Sequence, residues 1–408
     1  MRILCLTQWF QPEPFYKGLP LAKALAALGH QVEVLTGFPN YPGGRLYPGY
    51  SVRLCRREVI EGIPVSRVAL YPSHDRSGMR RIINYLSFAI SCLFLGPFLV
   101  RPPDVIYVYN LVTLAPAAFL LRLFWKAKVI IDIQDLWPES VINSGMLRSK
   151  MFHRLLAAVC DWVYRCADGI VVLSMGFKKE LEKRGVDPKK IDVIYNWCNE
   201  NELIRVPANN TLAQELGITE RFNVLFAGTM GIVQGLDTLL DAALICARLE
   251  PEVQFVLVGG GVDRARLVQR TEEMGLKNVK FLPRRAPNEM GPLFALADAL
   301  LVHLKDEPLF RITIPSKTQA YFYMGKPVIM ALRGDAADLV NRAGAGLTCP
   351  PDDPLALAEA VITLFHTPKS VREGMGRAAA NFYLEHLSMD SGVKRLEKRM
   401  RLLAETLN

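Results

Sequence analysis

Along the first half of the chain, short apolar runs alternate with longer stretches in which apolar residues return every three or four positions. Arg2–Thr7, Gln31–Thr36, Val105–Tyr109, Lys128–Asp132, Ile170–Leu173 and Ile191–Tyr195 read as strands. Lys17–Leu28 (stopped by Gly29), Met151–Ala167 and Phe177–Arg184 read as helices between them. The second half repeats the rhythm, with strands expected at Asn223–Ala227, Val253–Val258, Val279–Leu282, Ala299–Leu304, Pro327–Ala331 and Gly346–Thr348. Its helices are expected at Leu236–Leu249, Arg264–Glu273, Asn288–Ala297 and Leu355–Phe365. Near-continuous apolar strands separated by helices describe parallel sheets covered on both faces. The expected fold class is therefore α/β, with two doubly wound, Rossmann-like parallel-sheet domains facing a cleft. At 408 residues the chain exceeds one ordinary core. The polar stretch Asn196–Thr211 divides it into an expected first domain, 1–197, and a second, 198–371. A charged helical tail, 372–408, is expected to cross back onto the first.

One segment breaks this pattern. Ile82–Val100 runs for 19 residues without a charge, preceded by Arg76, Arg80 and Arg81 and followed by Arg101. Three readings stand open: a membrane span, a helix in the membrane interface, or a core helix. Its place between strands of one sheet weighs against the span. The charge sharpens the interfacial reading. Residues 1–199 hold 25 Lys+Arg against 15 Asp+Glu, whereas residues 200–408 hold 24 against 25. All of the net +9 is thus N-terminal, which suits an anionic membrane surface. The eight cysteines are scattered without a C-x-x-C pair, and the start of the chain is too short for a signal peptide. A cytoplasmic protein, peripheral on the inner face of the plasma membrane, is expected.

In open parallel sheets, ligands bind where strands run into helix N-termini. After the first strand comes a Pro-rich loop ending at Gly18. After Lys128–Asp132 come Gln134, Asp135, Trp137, Pro138, Glu139 and Ser140, which offer an amide and carboxylates to sugar hydroxyls and an indole to a sugar face. The second half opens on Gly228, Thr229, Met230, Gly231, Gln234 and Gly235, a strand–glycine-loop–helix suited to a diphosphate. Gly259, Gly260 and Gly261 repeat the device after the next strand. Arg311 and Lys317 flank an expected helix start and suit a leaving diphosphate, with Ser316 and Gln319 beside them. There is no D-x-D and no clustered His/carboxylate set, so neither a metal nor any other cofactor is expected. Nothing points to nucleic acid.

Several motifs in order, Leu28–Val32, Pro39–Pro42, Gln134–Ser140, Gly228–Asp237, Val258–Gly261, Ile314–Lys317 and Gly325–Val328, resemble the bacterial retaining glycosyltransferases of family 4. Among these, the chain is most similar to the D-L-W-P-E-S branch, which includes N-acetylfucosaminyl transferases of O-antigen and capsule synthesis. The resemblance implies a GT-B architecture, a nucleotide-sugar donor (UDP the expected nucleotide) and metal-free transfer with retention. The acceptor it implies is a lipid-linked saccharide of a surface polysaccharide. Carried over by position, Gly228–Gly235 would surround the diphosphate and Lys317 and Arg311 would neutralise it. Gly259–Gly261 and Pro283–Arg285, including Arg284, would lie near the base, and Asp135 and Glu139 would face the donor sugar or acceptor. A glutamate pair common in the family is replaced here by Ile312 and Ala320. Two alternatives stay open: a sugar-nucleotide 2-epimerase of the same fold, and a non-catalytic membrane-docked scaffold.

Overall fold

The computed structural model describes residues 1–15, 17–73, 78–137, 139 and 150–406. Arg76, Pro138 and Ser140 lie outside the described residues. The chain divides into two compact units, Met1–Ile194 with Val393–Asn408, and Tyr195–Gly392. The last helix, Met389–Glu405, therefore starts in the second unit and ends in the first.

The first unit is an eight-stranded sheet. Its strands are β1 (Arg2–Thr7), β2 (Gln31–Gly37), β3 (Cys55–Ile60), β4 (Ile63–Val68), β5 (Val105–Tyr109), β6 (Lys128–Ile133), β7 (Gly169–Val172) and β8 (Ile191–Val193). They are ordered β3-β4-β2-β1-β5-β6-β7-β8, with β3 antiparallel to β4 and the other pairs parallel. β1, β5 and β6 are almost wholly buried, as their unbroken apolar runs require. The apolar reading missed the β3–β4 hairpin. β3 is an edge strand with alternate positions turned outward, and its turn, Glu61–Gly62, has both φ angles positive (46° and 84°), as a tight hairpin demands.

The helix Gly78–Leu99 settles along this sheet by one stripe. Asn84, Phe88, Cys92 and Gly96 are buried at four-residue spacing, and a Cβ on Gly96 would lie 3.4 Å from Leu35 and 3.5 Å from Leu121. Met79, Ile83, Leu86, Ile90, Phe94 and Phe98 face outward, and Phe98 is 80% exposed. Arg57 of β3 closes the helix by donating to the carbonyls of Phe98 and Leu99 at 3.1 and 3.3 Å. The helix is long and apolar enough to cross a membrane by length and composition, yet it is the helix of a sheet, buried on one side.

The second unit is a six-stranded, all-parallel sheet. Its strands are β9 (Phe222–Thr229), β10 (Val253–Gly260), β11 (Val279–Leu282), β12 (Ala299–His303), β13 (Val328–Ala331) and β14 (Gly346–Cys349), ordered β11-β10-β9-β12-β13-β14. Helices Asp237–Leu249 and Pro354–His366 bury Leu239, Leu240, Leu357 and Val361 against Phe255, Leu257 and Leu301. A short helix, Asn210–Leu216, begins at the end of the polar stretch between the two series. The side chain of Asn209 caps it by accepting from the N–H groups of Thr211 and Leu212, and Gly217 ends it in the left-handed region.

Candidate functional site

In the second unit, the central strands β9 and β10 end together in glycines. Gly228 pairs with Gly259 and Thr229 with Gly260. The approach is so close that a Cβ on Gly259 (φ +143°) would lie 2.0 Å from the Gly228 carbonyl. One on Gly261 (φ +154°) would lie 2.2 Å from the Met230 carbonyl. The two loops are also laced together: Met230 N–H donates to Gly260 O at 2.8 Å, and Asp263 N–H donates to Met230 O at 3.1 Å. Met230, expected at the donor, thus has its side chain fully in the core and both backbone groups engaged. Gln234 caps its own turn, since its Oε1 accepts from Gly231 N–H at 3.0 Å. Its carbonyl accepts from His303 Nδ1 at 2.7 Å, while His303 Nε2 accepts from Asp352 N–H at 3.3 Å. These bonds fix a neutral imidazole, in keeping with the burial that lowers the His303 pKa. Gly235 turns left-handed against that ring.

Lys317 stands in the first turn of the helix Ser316–Met324, where unpaired N–H groups already favour an anion. Its Nζ lies 3.7 Å from the centre of the Phe226 ring, and a Cβ on Gly228 would meet it at 3.3 Å. The ammonium is buried with no hydrogen-bond partner among the described residues, and burial pushes its pKa down to about 7. A buried cation without a counter-charge is costly, and the ring offsets only part of that cost. Ser316 is exposed beside it. Gln319, oriented so that its amide is satisfied, donates to the carbonyls of Pro315 and Ser316 and serves its own helix. Arg311 is exposed and paired with Asp306 at 2.9 Å, a pair that Arg333 joins at 3.5 Å.

A cavity of about 340 Å³ opens beside the glycines. Gly228, Thr229, Gly259, Gly260 and Arg284 line it, as do Cys198, Asn199, Leu203, Arg285, Met290, Phe294 and Ala320. It is an apolar slot with two guanidinium groups at its wall and no carboxylate.

The first unit gathers a different set. Asp132, at the end of β6, accepts from Lys17 Nζ at 2.8 Å, from the Tyr107 hydroxyl and from the Gln134 amide. The Lys17 and Asp132 side chains are each 1% exposed. Nearby, the buried Glu13 clamps the loop after β1. One oxygen accepts from Asn40 and Tyr41 N–H at 2.8 and 2.7 Å, and the other from Phe10 N–H at 2.9 Å. Desolvation nevertheless pushes its carboxyl up to about 7. Gly18 caps the helix Leu19–Ala27, its N–H donating to Phe15 O at 3.3 Å, so that N–H is not open to a ligand. Asp135 makes no hydrogen bond or ion pair among the described residues, and poor solvation raises its pKa. Glu139 pairs with Arg184 at 2.8 Å, and Arg184 also donates to the Trp137 carbonyl at 2.8 Å. Among the described residues no group of three His, Cys, Asp or Glu is placed to hold a metal ion.

Residues 19–197 match the family model of the glycosyl transferase 4-like domain, and residues 221–367 match that of glycosyl transferases group 1. The chain is a glycosyltransferase. It is 27% identical over 280 residues to WbjE of Pseudomonas aeruginosa, named as a glycosyltransferase, covering 66% of this chain and 68% of that protein. It is 27% identical over 290 residues to WcaI of Escherichia coli, named as a colanic acid biosynthesis glycosyl transferase, covering 68% and 70%. Among solved structures, Anabaena HepE in complex with UDP superimposes with a TM-score of 0.71 at 18% identity, over 98% of this chain and 100% of that one. This likeness is one of fold, GT-B, with its two parallel-sheet α/β domains.

In this glycosyltransferase the expected donor residues divide. Gly228, Thr229, Gly259, Gly260 and Arg284 share one cavity, and Lys317 Nζ lies behind Gly228, whereas Met230, Gln234 and Gly235 build the neighbouring loop and Gln319 serves its own helix. Sequence reasoning missed Cys198, Asn199, Leu203, Met290 and Phe294, whose spacing reads as linker or helix core. It also missed Lys17 and Asp132, of which only the acid ending an apolar strand gave a signal.

Proposed function

We propose that the second unit holds a nucleotide-diphosphate sugar, with UDP the favoured nucleotide, and that the enzyme transfers its hexosyl or N-acetylhexosaminyl group. The observation that carries this is Lys317, whose buried ammonium has no hydrogen-bond partner among the described residues and lies against Gly228, a residue of the cavity wall. A diphosphate supplies the missing counter-charge, and the apolar slot beyond Gly260 suits a base. HepE, solved with UDP and with UDP-glucose, supports the nucleotide. The name of WcaI supports a place in bacterial surface-polysaccharide synthesis. Because a fixed ammonium and a helix N-terminus stabilise the departing diphosphate, transfer proceeds without a metal. In the retaining course, the anomeric C–O bond breaks toward the diphosphate. The acceptor oxygen bonds the same face and passes its proton to the released phosphate oxygen.

The acceptor is a lipid-linked saccharide, reached from the inner face of the membrane. The outward row Ile83, Leu86, Ile90, Phe94 and Phe98, flanked by Arg80, Arg81 and Arg101, supports this reading. The test is a set of thermal melts with UDP, GDP and dTDP, followed by turnover of the matching sugar onto a polyprenyl-diphosphate saccharide. UDP is expected to raise the melting temperature most, EDTA to leave turnover unchanged, and the product to keep the donor's anomeric configuration. A rise with none of the nucleotides would sink the donor reading. Activity lost in EDTA and restored by Mg²⁺ would contradict metal-free transfer, and an inverted product would contradict retention.

A further inference from the structure

Tyr383 lies 185 residues along the chain from the cavity wall yet touches it. It opens a π-helical turn, Tyr383–Leu387, that follows the helix Lys369–Phe382. Such turns carry one residue more than an α-helical turn and re-aim the side chain at the insertion. Here the re-aimed phenol is fully buried. Its hydroxyl accepts from Cys198 N–H at 3.3 Å and from Cys198 Sγ at 3.2 Å, and donates to Glu200 Oε1 at 2.6 Å. Glu200 Oε1 also accepts from Met389 N–H at 3.0 Å. The ring meets Tyr323 edge-on at 5.2 Å, and Tyr323 belongs to the helix that carries Lys317 and Ala320. Cys198 and Asn199 line the cavity, and the Asn199 carbonyl accepts from Leu203 N–H at 3.0 Å, which places Leu203 in the same wall.

We propose that Tyr383 is a positioning residue for nucleotide binding, its hydroxyl holding the Cys198–Asn199–Leu203 wall at the distance a base requires. This rests on the reading of the cavity as a nucleotide site. Removing the hydroxyl leaves the Cys198 N–H without this acceptor and Glu200 Oε1 with Met389 N–H alone, so the wall loses its fixed position while the ring still packs. The effect is expected on affinity: about a tenfold weaker nucleotide complex, with chemistry at Lys317 unchanged.

Calorimetric titration of UDP into the full chain tests this with Tyr383→Phe, Glu200→Ala, Glu200→Gln and, as a packing control, Tyr323→Phe. Tyr383→Phe and Glu200→Ala are expected to raise Kd about tenfold, with the donor KM rising and kcat held within about threefold. Glu200→Gln retains a carbonyl acceptor and is expected to stay within about threefold of wild type, as is Tyr323→Phe. An unchanged Kd for Tyr383→Phe overturns the proposal, as does an equal loss in Tyr323→Phe. Should Tyr383→Phe fail to fold, the Glu200→Ala and Glu200→Gln pair decides, and equal affinities overturn it. Wild type that binds no UDP defeats the nucleotide reading itself, which separates the two failures.

Discussion

Each unit buries a lysine close to the end of its sheet, and the two are treated in opposite ways. Lys17 in the first unit meets Asp132 at 2.8 Å inside a network that also engages Tyr107 and Gln134. Lys317 in the second unit has a phenyl ring against it and no hydrogen-bond partner among the described residues, and burial depresses its pKa to about 7. A paired buried charge is a structural element, whereas an unpaired one is destabilising unless something else supplies the counter-charge. The difference underlies the proposed donor site in the second unit. The buried lysine of the first unit is satisfied by its own chain, whereas the Lys317 ammonium has no hydrogen-bond partner among the described residues and is open to an anion.

The sharpest way to break this comparison is to remove each amine. Lys317→Met is expected to lower transfer by about two to three orders of magnitude, measured as kcat, because a fixed charge on the leaving group is lost. It is also expected to make the ligand-free protein more stable, by roughly 1–2 kcal/mol near neutral pH. Here the sign follows from the folded pKa lying below the ordinary 10.5. The penalty of burying the ammonium is full below pH 7 and fades as pH rises toward 10.5, so the advantage of the variant in thermal melts should shrink over that window. Lys17→Met should do the reverse. It strands Asp132, with an expected loss of about 3–5 kcal/mol in denaturant melts, and Lys17→Met with Asp132→Asn, which removes the charge and keeps an acceptor for Tyr107 or Gln134, should recover part of it.

Gly259→Ala comes next. With a methyl driven to within 2.0 Å of the Gly228 carbonyl at φ +143°, the two loops must part. Donor KM is expected to rise by about tenfold or more, with a stability loss of about 1–3 kcal/mol. The last test concerns the outward face of the first unit rather than the proposed donor site. Arg80→Ala with Arg81→Ala is expected to weaken binding to anionic vesicles by roughly tenfold to thirtyfold, at about 1 kcal/mol for each charge. Binding that is undiminished would remove the membrane-surface reading.

What the sequence showed in advance follows the range of the interactions. An apolar run such as Val253–Val258 announces a buried parallel strand because both faces are covered, and it lies within an observed strand. The edge strand Cys55–Ile60 escaped because half its positions face outward. The glycine loops were legible because close backbone approach excludes other residues, and Lys317 because of its place at a helix start. Partnership was not legible. Nothing local distinguishes Glu139, held by Arg184, from Asp135, which makes no hydrogen bond or ion pair among the described residues, or Arg311, held by Asp306, from Lys317. The wall formed by Cys198 depends on Tyr383, far beyond any sequence window.

Calorimetric binding of UDP-glucose, a ligand without a proton to lose near neutrality, measures directly whether the Lys317 ammonium meets a diphosphate. Wild type at pH 8 should take up close to one proton per nucleotide bound, since the anion raises a pKa that begins at about 7, and affinity should fall as pH rises above 7. Lys317→Met should show no uptake and an affinity at least about tenfold weaker. Equal affinity and equal proton uptake in the two proteins would contradict the account.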